Sequence, residues 1–175
     1  MRRESLVLAA ALLAGGAAPA AAQGLPGGAS SLNEAHGDWA VACTAPEGAV
    51  RCAISQVQLN GENRQRVLAI ELVAAEGGDA AGGTLILPFG LRLDDGVRLA
   101  IDEAAPFQSP RFSTCLPAGC LVPLAFGADV VSALRGGVTL GLKATANDNG
   151  QEIAFSVPLR GFASALARAA ELSGG

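Results

Sequence analysis

The chain predicts an all-β fold: a single-domain antiparallel β-sandwich or barrel with one short internal helix and a C-terminal amphipathic helix. Three observations carry this reading. Apolar residues alternate with period two in seven or eight short runs, each bounded by Gly, Pro, Asn or Asp. The run Val138-Leu140-Leu142 meets Ile153-Phe155-Val157 across Asn147-Asp148-Asn149-Gly150, whose Asn-Gly pair is the strongest short hairpin signal. Only two stretches show helical spacing, Ala128 to Arg135 and Phe162 to Glu171.

The N-terminus decides which residues belong to that fold. Arg2 and Arg3 precede an apolar core from Leu6 to Leu13, and Ala20 and Ala22 occupy the small-residue positions of a cleavage site. Residues 1–22 are therefore read as a secretory signal peptide. The apolar core is shorter than the roughly 20 residues a spanning helix needs. The first cysteine is Cys43, so the cleavage point offers no thiol for a lipid anchor. Further on, Leu121 to Leu134 is interrupted by Pro123, Gly127 and Asp129, so no later segment is expected to cross a membrane.

Cleavage after Ala22 leaves 153 of 175 residues, the size of one domain. Taking Arg2, Arg3 and Glu4 from 12 basic and 16 acidic residues leaves 10 and 15, a formal charge of −5. The two signs are interspersed. That balance argues against nucleic acid or an anionic membrane surface as the main partner.

Four cysteines in an exported chain are read as two disulfides, with three possible connectivities. If the turn at Pro46-Glu47-Gly48-Ala49 closes a hairpin, Cys43 lies opposite Cys52 and Val41 opposite Ile54, within disulfide reach. The expected pairs are Cys43–Cys52 and Cys115–Cys120, with crossed pairing as the alternative. A four-cysteine metal site lacks the short C-x2-C spacing, and a redox pair would want C-x-x-C at a helix start.

In chain order, residues 23–35 contain Gly, Ser and Pro without periodicity and are expected to form a flexible leader, with the domain spanning 36–172. Strands are expected from Gly37 through the Cys43–Cys52 hairpin and at Leu68-Ile70-Leu72. An Ala/Gly-rich loop, Ala74 to Gly83, precedes a buried strand at Thr84 to Phe89. Asp94-Asp95-Gly96 is a turn leading into Val97-Leu99-Ile101. Phe107 to Phe112 is a proline-broken approach to the turn Cys115-Leu116-Pro117-Ala118-Gly119-Cys120. Trp39 precedes its nearest cysteine by four residues, which disfavours an immunoglobulin fold.

Few residues offer chemistry. His36 is the single histidine, placed at the edge of the leader, and reads as a solvated side chain more readily than as a triad or metal ligand. Asp94-Asp95 and Asp102-Glu103 could be paired carboxylates, but both sit where loops carry acids anyway. Asn147-Asp148-Asn149-Gly150 lacks the length and terminal Glu of a calcium loop. No nucleophile elbow or phosphate-cradling glycine loop occurs. No catalytic residue, cofactor or metal is expected, and the enzyme or thiol-redox reading is the alternative.

Several blocks, in order, give the chain a family resemblance. They are Gly37-Asp38-Trp39 with Cys43, Cys52 with Ile54-Ser55-Gln56, Arg66-Val67-Leu68, and Leu87-Pro88-Phe89-Gly90. Gly96-Val97-Arg98-Leu99 with Ile101-Asp102 follows, then the Cys115–Cys120 turn, Val157-Pro158-Leu159, Gly161-Phe162 and Ala165-Leu166. Together they resemble the invasion-associated locus B family of exported bacterial proteins. The resemblance implies a β-rich periplasmic or outer-membrane-associated protein, aiding host-cell interaction or envelope function with an envelope or host protein as partner. It implies no catalytic residues.

Overall fold

A computed structural model describes residues 24–174. The signal-peptide expectation for residues 1–22 lies outside the described residues. Two antiparallel sheets and two helices share one core. The first sheet has seven strands in the order β1-β2-β3-β4-β5-β8-β7. These are β1 (Ser31–His36), β2 (Trp39–Thr44), β3 (Arg51–Leu59), β4 (Arg66–Ala74), β5 (Ala81–Leu87), β7 (Thr114–Leu116) and β8 (Gly119–Phe126). The second sheet has the order β10-β9-β6, from β6 (Arg98–Ile101), β9 (Thr139–Thr145) and β10 (Glu152–Pro158). Helix α1 (Ala128–Gly136) links β8 to β9, and α2 (Phe162–Leu172) closes the described chain.

Period-two side chains put one face of each sheet inside. Trp39, Val41 and Cys43 of β2, Ile54 of β3, Leu68, Ile70 and Leu72 of β4, and Val122, Leu124 and Phe126 of β8 are all buried. Leu99, Leu140, Leu142 and Val157 face them from the second sheet. Phe162, Ala165, Leu166 and Ala169 of α2 recur at helical spacing and lie over β2, β3 and β4. Trp39 joins the layers: its ring meets Phe162 edge-on at 5.2 Å, and its Nε1–H donates to the Pro158 carbonyl at 3.0 Å.

The expected hairpin register at the first turn is the one observed, with Val41 opposite Ile54 and Cys43 opposite Cys52. Cys43 and Cys52 are bonded, as are Cys115 and Cys120 across the β7–β8 turn. The leader expected at 23–35 is a correction. Ser31 to His36 form β1, fully paired with β2, and Leu25 is buried in the core. The strand carries no apolar alternation, because its inner positions are Leu32, Glu34 and His36 in place of three apolar residues.

A close backbone approach ties β1 to α2. Asp38 N–H donates to the Arg160 carbonyl at 2.9 Å, and a Cβ on Gly161 would stand 1.9 Å from the His36 carbonyl oxygen. Gly161 also has φ +93, so glycine is required there on both counts. The Ala/Gly-rich loop ends earlier than expected, because Ala81, Gly82 and Gly83 already pair with β4 and β8.

Candidate functional site

His36 has company that the sequence did not announce. Its Nδ1 lies 3.2 Å from Ser164 Oγ, and its Nε2 lies 3.3 Å from Glu34 Oε2. β1 supplies Glu34 and His36 on one face, and the first turn of α2 supplies Ser164. The Ser–His–Glu line has the connectivity of a hydrolytic triad. Its other bonds oppose that chemistry. The Ser164 hydroxyl donates to the Gly161 carbonyl at 3.0 Å, which directs its proton away from the imidazole. Arg168 Nε and Nη2 both hold Glu34, at 3.0 Å each, and Arg168 Nη1 reaches Glu171 at 3.1 Å. The Arg168 hydrogen bond, and then that of His36, keeps the Glu34 carboxyl below its usual range. The cluster is an ion-pair clamp between the first strand and the last helix.

The acidic pairs separate in the same way. Arg92 lies 3.9 Å from Asp95 across one turn, a solvated loop contact. The Asn147–Gly150 segment is a hairpin loop closed by Ala146 N–H to the Gln151 carbonyl at 2.8 Å. Among the described residues no group of three His, Cys, Asp or Glu side chains is placed to hold a metal ion.

Asp102 is different. It has φ +53, a strained value for a side-chain-bearing residue. Its carboxylate accepts the Val138 and Thr139 N–H groups at 3.0 and 2.8 Å. These bonds fix the start of the loop Asp102-Glu103-Ala104-Ala105-Pro106, which projects beyond β6.

Recesses open on both sides of this loop. The first, of about 310 Å³, lies on the outer face of the three-stranded sheet. Ala100, Gly141 and Ala154 make its floor, one small residue from each strand, and Glu103, Ala104 and Pro106 form one wall. Arg98 and Lys143 stand at the opposite wall, both paired with Glu152, Lys143 at 2.8 Å. The hydrogen bond from Lys143 is the main cause that holds the Glu152 carboxyl below its usual range. The second recess, of about 520 Å³, lies between the loop and α1, against Ile101, Phe107, Val130 and Ala133, with Glu103 and Asp129 at its rim.

Small side chains leave depth, and Arg98 and Lys143 lie in the same cross-strand row as Ala154. Such a surface suits an extended apolar segment with polar groups at its margins. No Ser, Cys or His lines either recess. Sequence reasoning flagged Asp102 and Glu103 as acids but missed the recess, since its floor comes from three strands and consists of residues without distinctive chemistry.

The fold and these features define a disulfide-stapled, two-sheet protein with a surface recess and an ion-pair clamp on its last helix. The family model described as "Invasion associated locus B (IalB) protein" matches residues 39–170. An invasion protein B homologue of Brucella abortus (strain 2308) is 43% identical over 147 residues, covering 84% of each chain. The invasion protein B of Bartonella bacilliformis is 35% identical over 150 residues, 85% of this chain and 80% of that one. A crystal structure of invasion-associated protein B from Bartonella henselae superposes with a TM-score of 0.75 at 35% identity, covering 81% of this chain and 97% of the other. The chain belongs to the invasion-associated locus B family.

Proposed function

We propose that this protein is exported, resides in the periplasm or at the outer membrane, and acts by binding an envelope or host protein without catalysing a reaction. The recess beside residues 102–106 carries the reading: a floor of Ala100, Gly141 and Ala154, with Arg98 and Lys143 in the row of Ala154 and with Asp102 and Glu103 also among its lining. Export is supported by the N-terminal pattern and by two disulfides, which persist in oxidising compartments. The relatives are named for invasion, which supports host-cell interaction as the role, with envelope integrity as the other outlet.

Two experiments test the proposal. Cell fractionation with thiol alkylation should find the processed protein outside the cytoplasm with no alkylatable cysteine; a reduced, unprocessed cytoplasmic protein would refute export. For binding, Ala154→Trp fills the recess from an exposed position on β10. Affinity capture from envelope and host-cell extracts should recover a partner with the wild-type protein and lose it with this variant. Recovery of the same partner at the same yield by both would show that the recess is not the binding surface.

A further inference from the structure

The two sheets end in four edges, and three of them are closed. At β10 the outward carbonyls of Ser156 and Pro158 accept side-chain N–H groups from Gln58 at 2.7 Å and from Gln56 at 3.1 Å, and Pro158 has no N–H to offer. At β6, Val97 and Leu99 N–H donate to the carbonyls of Pro110 and Gln108 at 2.9 and 2.8 Å. At the far end β7 is three residues long and is followed by Pro117. These are the usual means of blunting an edge. Among the described residues the fourth edge is β1, six residues long, with no proline, lysine or bulge; its one inward-pointing carboxylate, Glu34, is held by Arg168.

We propose that β1 is a dimerisation edge, at which a second copy of this chain pairs antiparallel, strand against identical strand, about a two-fold axis through Asn33. The hydrogen-bond phase of β1 selects that register. Ala45 N–H donates to the Ser30 carbonyl at 3.0 Å, one step beyond the Ser31–Thr44 pair. In an antiparallel ladder the bonding direction alternates, so Leu32, Glu34 and His36 face β2 as Ser30 does. Ser31, Asn33 and Ala35 turn their N–H and C=O groups outward.

Outward residues bond only to outward residues. With the axis at Asn33, Asn33 meets its own copy and each Ser31 meets the other copy's Ala35. Three pairs exchanging two bonds each give about six hydrogen bonds. An axis at Leu32 or at Glu34 leaves about four, and the second also sets Glu34 against its own copy. With the axis at Asn33, each Glu34 lies opposite Leu32 and keeps its Arg168 partner. Ser31, Asn33 and Ala35 bring no charge to the outer face. Helix α2 lies mainly over β2 and β3, back from the edge, so the helices of two copies do not compete for the same space. So small an interface belongs to the weak, concentration-dependent class.

The test uses the mature exported protein. Its four cysteines are all bridged, so Asn33→Cys carries the only free thiol. On the axis the two Cα atoms lie about 5.5 Å apart, within disulfide reach. In Ala35→Cys the equivalent atoms lie on the order of 13 Å apart, beyond it. Mild oxidation should convert Asn33→Cys to a covalent dimer at least about tenfold faster than Ala35→Cys. Sedimentation of the wild type should show a mass rising toward two chains between about 10 μM and 1 mM, and Asn33→Lys, with two ammonium groups on the axis, should stay a monomer. A wild-type protein that stays monomeric across that range overturns the proposal. So does cross-linking of Ala35→Cys as fast as Asn33→Cys, which would exclude this register.

Discussion

The seven-stranded and three-stranded sheets are held by different means. The larger one carries both disulfides, one near each end of its strand order, and packs Trp39 and the apolar stripe of α2 against its inner face. The smaller one has no disulfide. Side chains of β3 seal its β10 edge, the segment 107–110 seals its β6 edge, and its outer face is lined with Ala100, Gly141 and Ala154. A stapled sheet resists local opening, whereas a sheet with a small-residue outer face leaves room for a partner. The difference places the disulfide staples in the first sheet and the proposed binding recess on the second.

The division breaks most visibly at Trp39. It is buried in the first sheet and bonded to the second, so Trp39→Ala should cost about 3–5 kcal/mol, measured by denaturant unfolding, and should loosen both sheets together. A loss under about 1 kcal/mol would mean that the layers are joined elsewhere.

The disulfides come next. Replacing Cys43 and Cys52 together by Ala should cost about 2–3 kcal/mol, since both sulfurs are in the core and the bond closes a short loop. The corresponding change at Cys115 and Cys120 should cost less, because Cys115 is exposed on a three-residue edge strand. A reversed order would move the structural weight to the β7–β8 turn. Capture of a partner through the recess should survive either change at temperatures where the protein remains folded.

The smallest effect is at the clamp. The folded-state carboxyl of Glu34 is held below the ordinary value of 4.5 by Arg168 and then His36. Its contribution is therefore present above about pH 4.5 and is lost as the pH falls through the lower folded value. Glu34→Gln should lower stability slightly at pH 7 and flatten the loss of stability below that value. A wild-type acid slope in the variant would show that the ion pair is idle in solution.

The local signals were legible in the sequence. Period two around Pro46-Glu47-Gly48-Ala49 gave the Cys43–Cys52 opposition, and Asn147 to Gly150 gave the β9–β10 hairpin. β1 was not legible. Ser31 to His36 has no apolar alternation, and its inward carboxylate, Glu34, is matched by Arg168, 134 residues away. The recess was hidden for a related reason. Ala100, Gly141 and Ala154 mean nothing singly; only the pairing of β6, β9 and β10 sets Ala100 opposite Gly141 and Ala154 diagonal to it. Signals within a hairpin survive in one dimension; contacts between distant strands do not.

The most direct test of the division is host-cell association by a deletion strain that expresses Ala154→Trp at wild-type level. Thermal unfolding of the purified variant should match the wild type, since residue 154 is exposed and outside the core. Association should fall to the level of the deletion strain. Full restoration by this variant would contradict it.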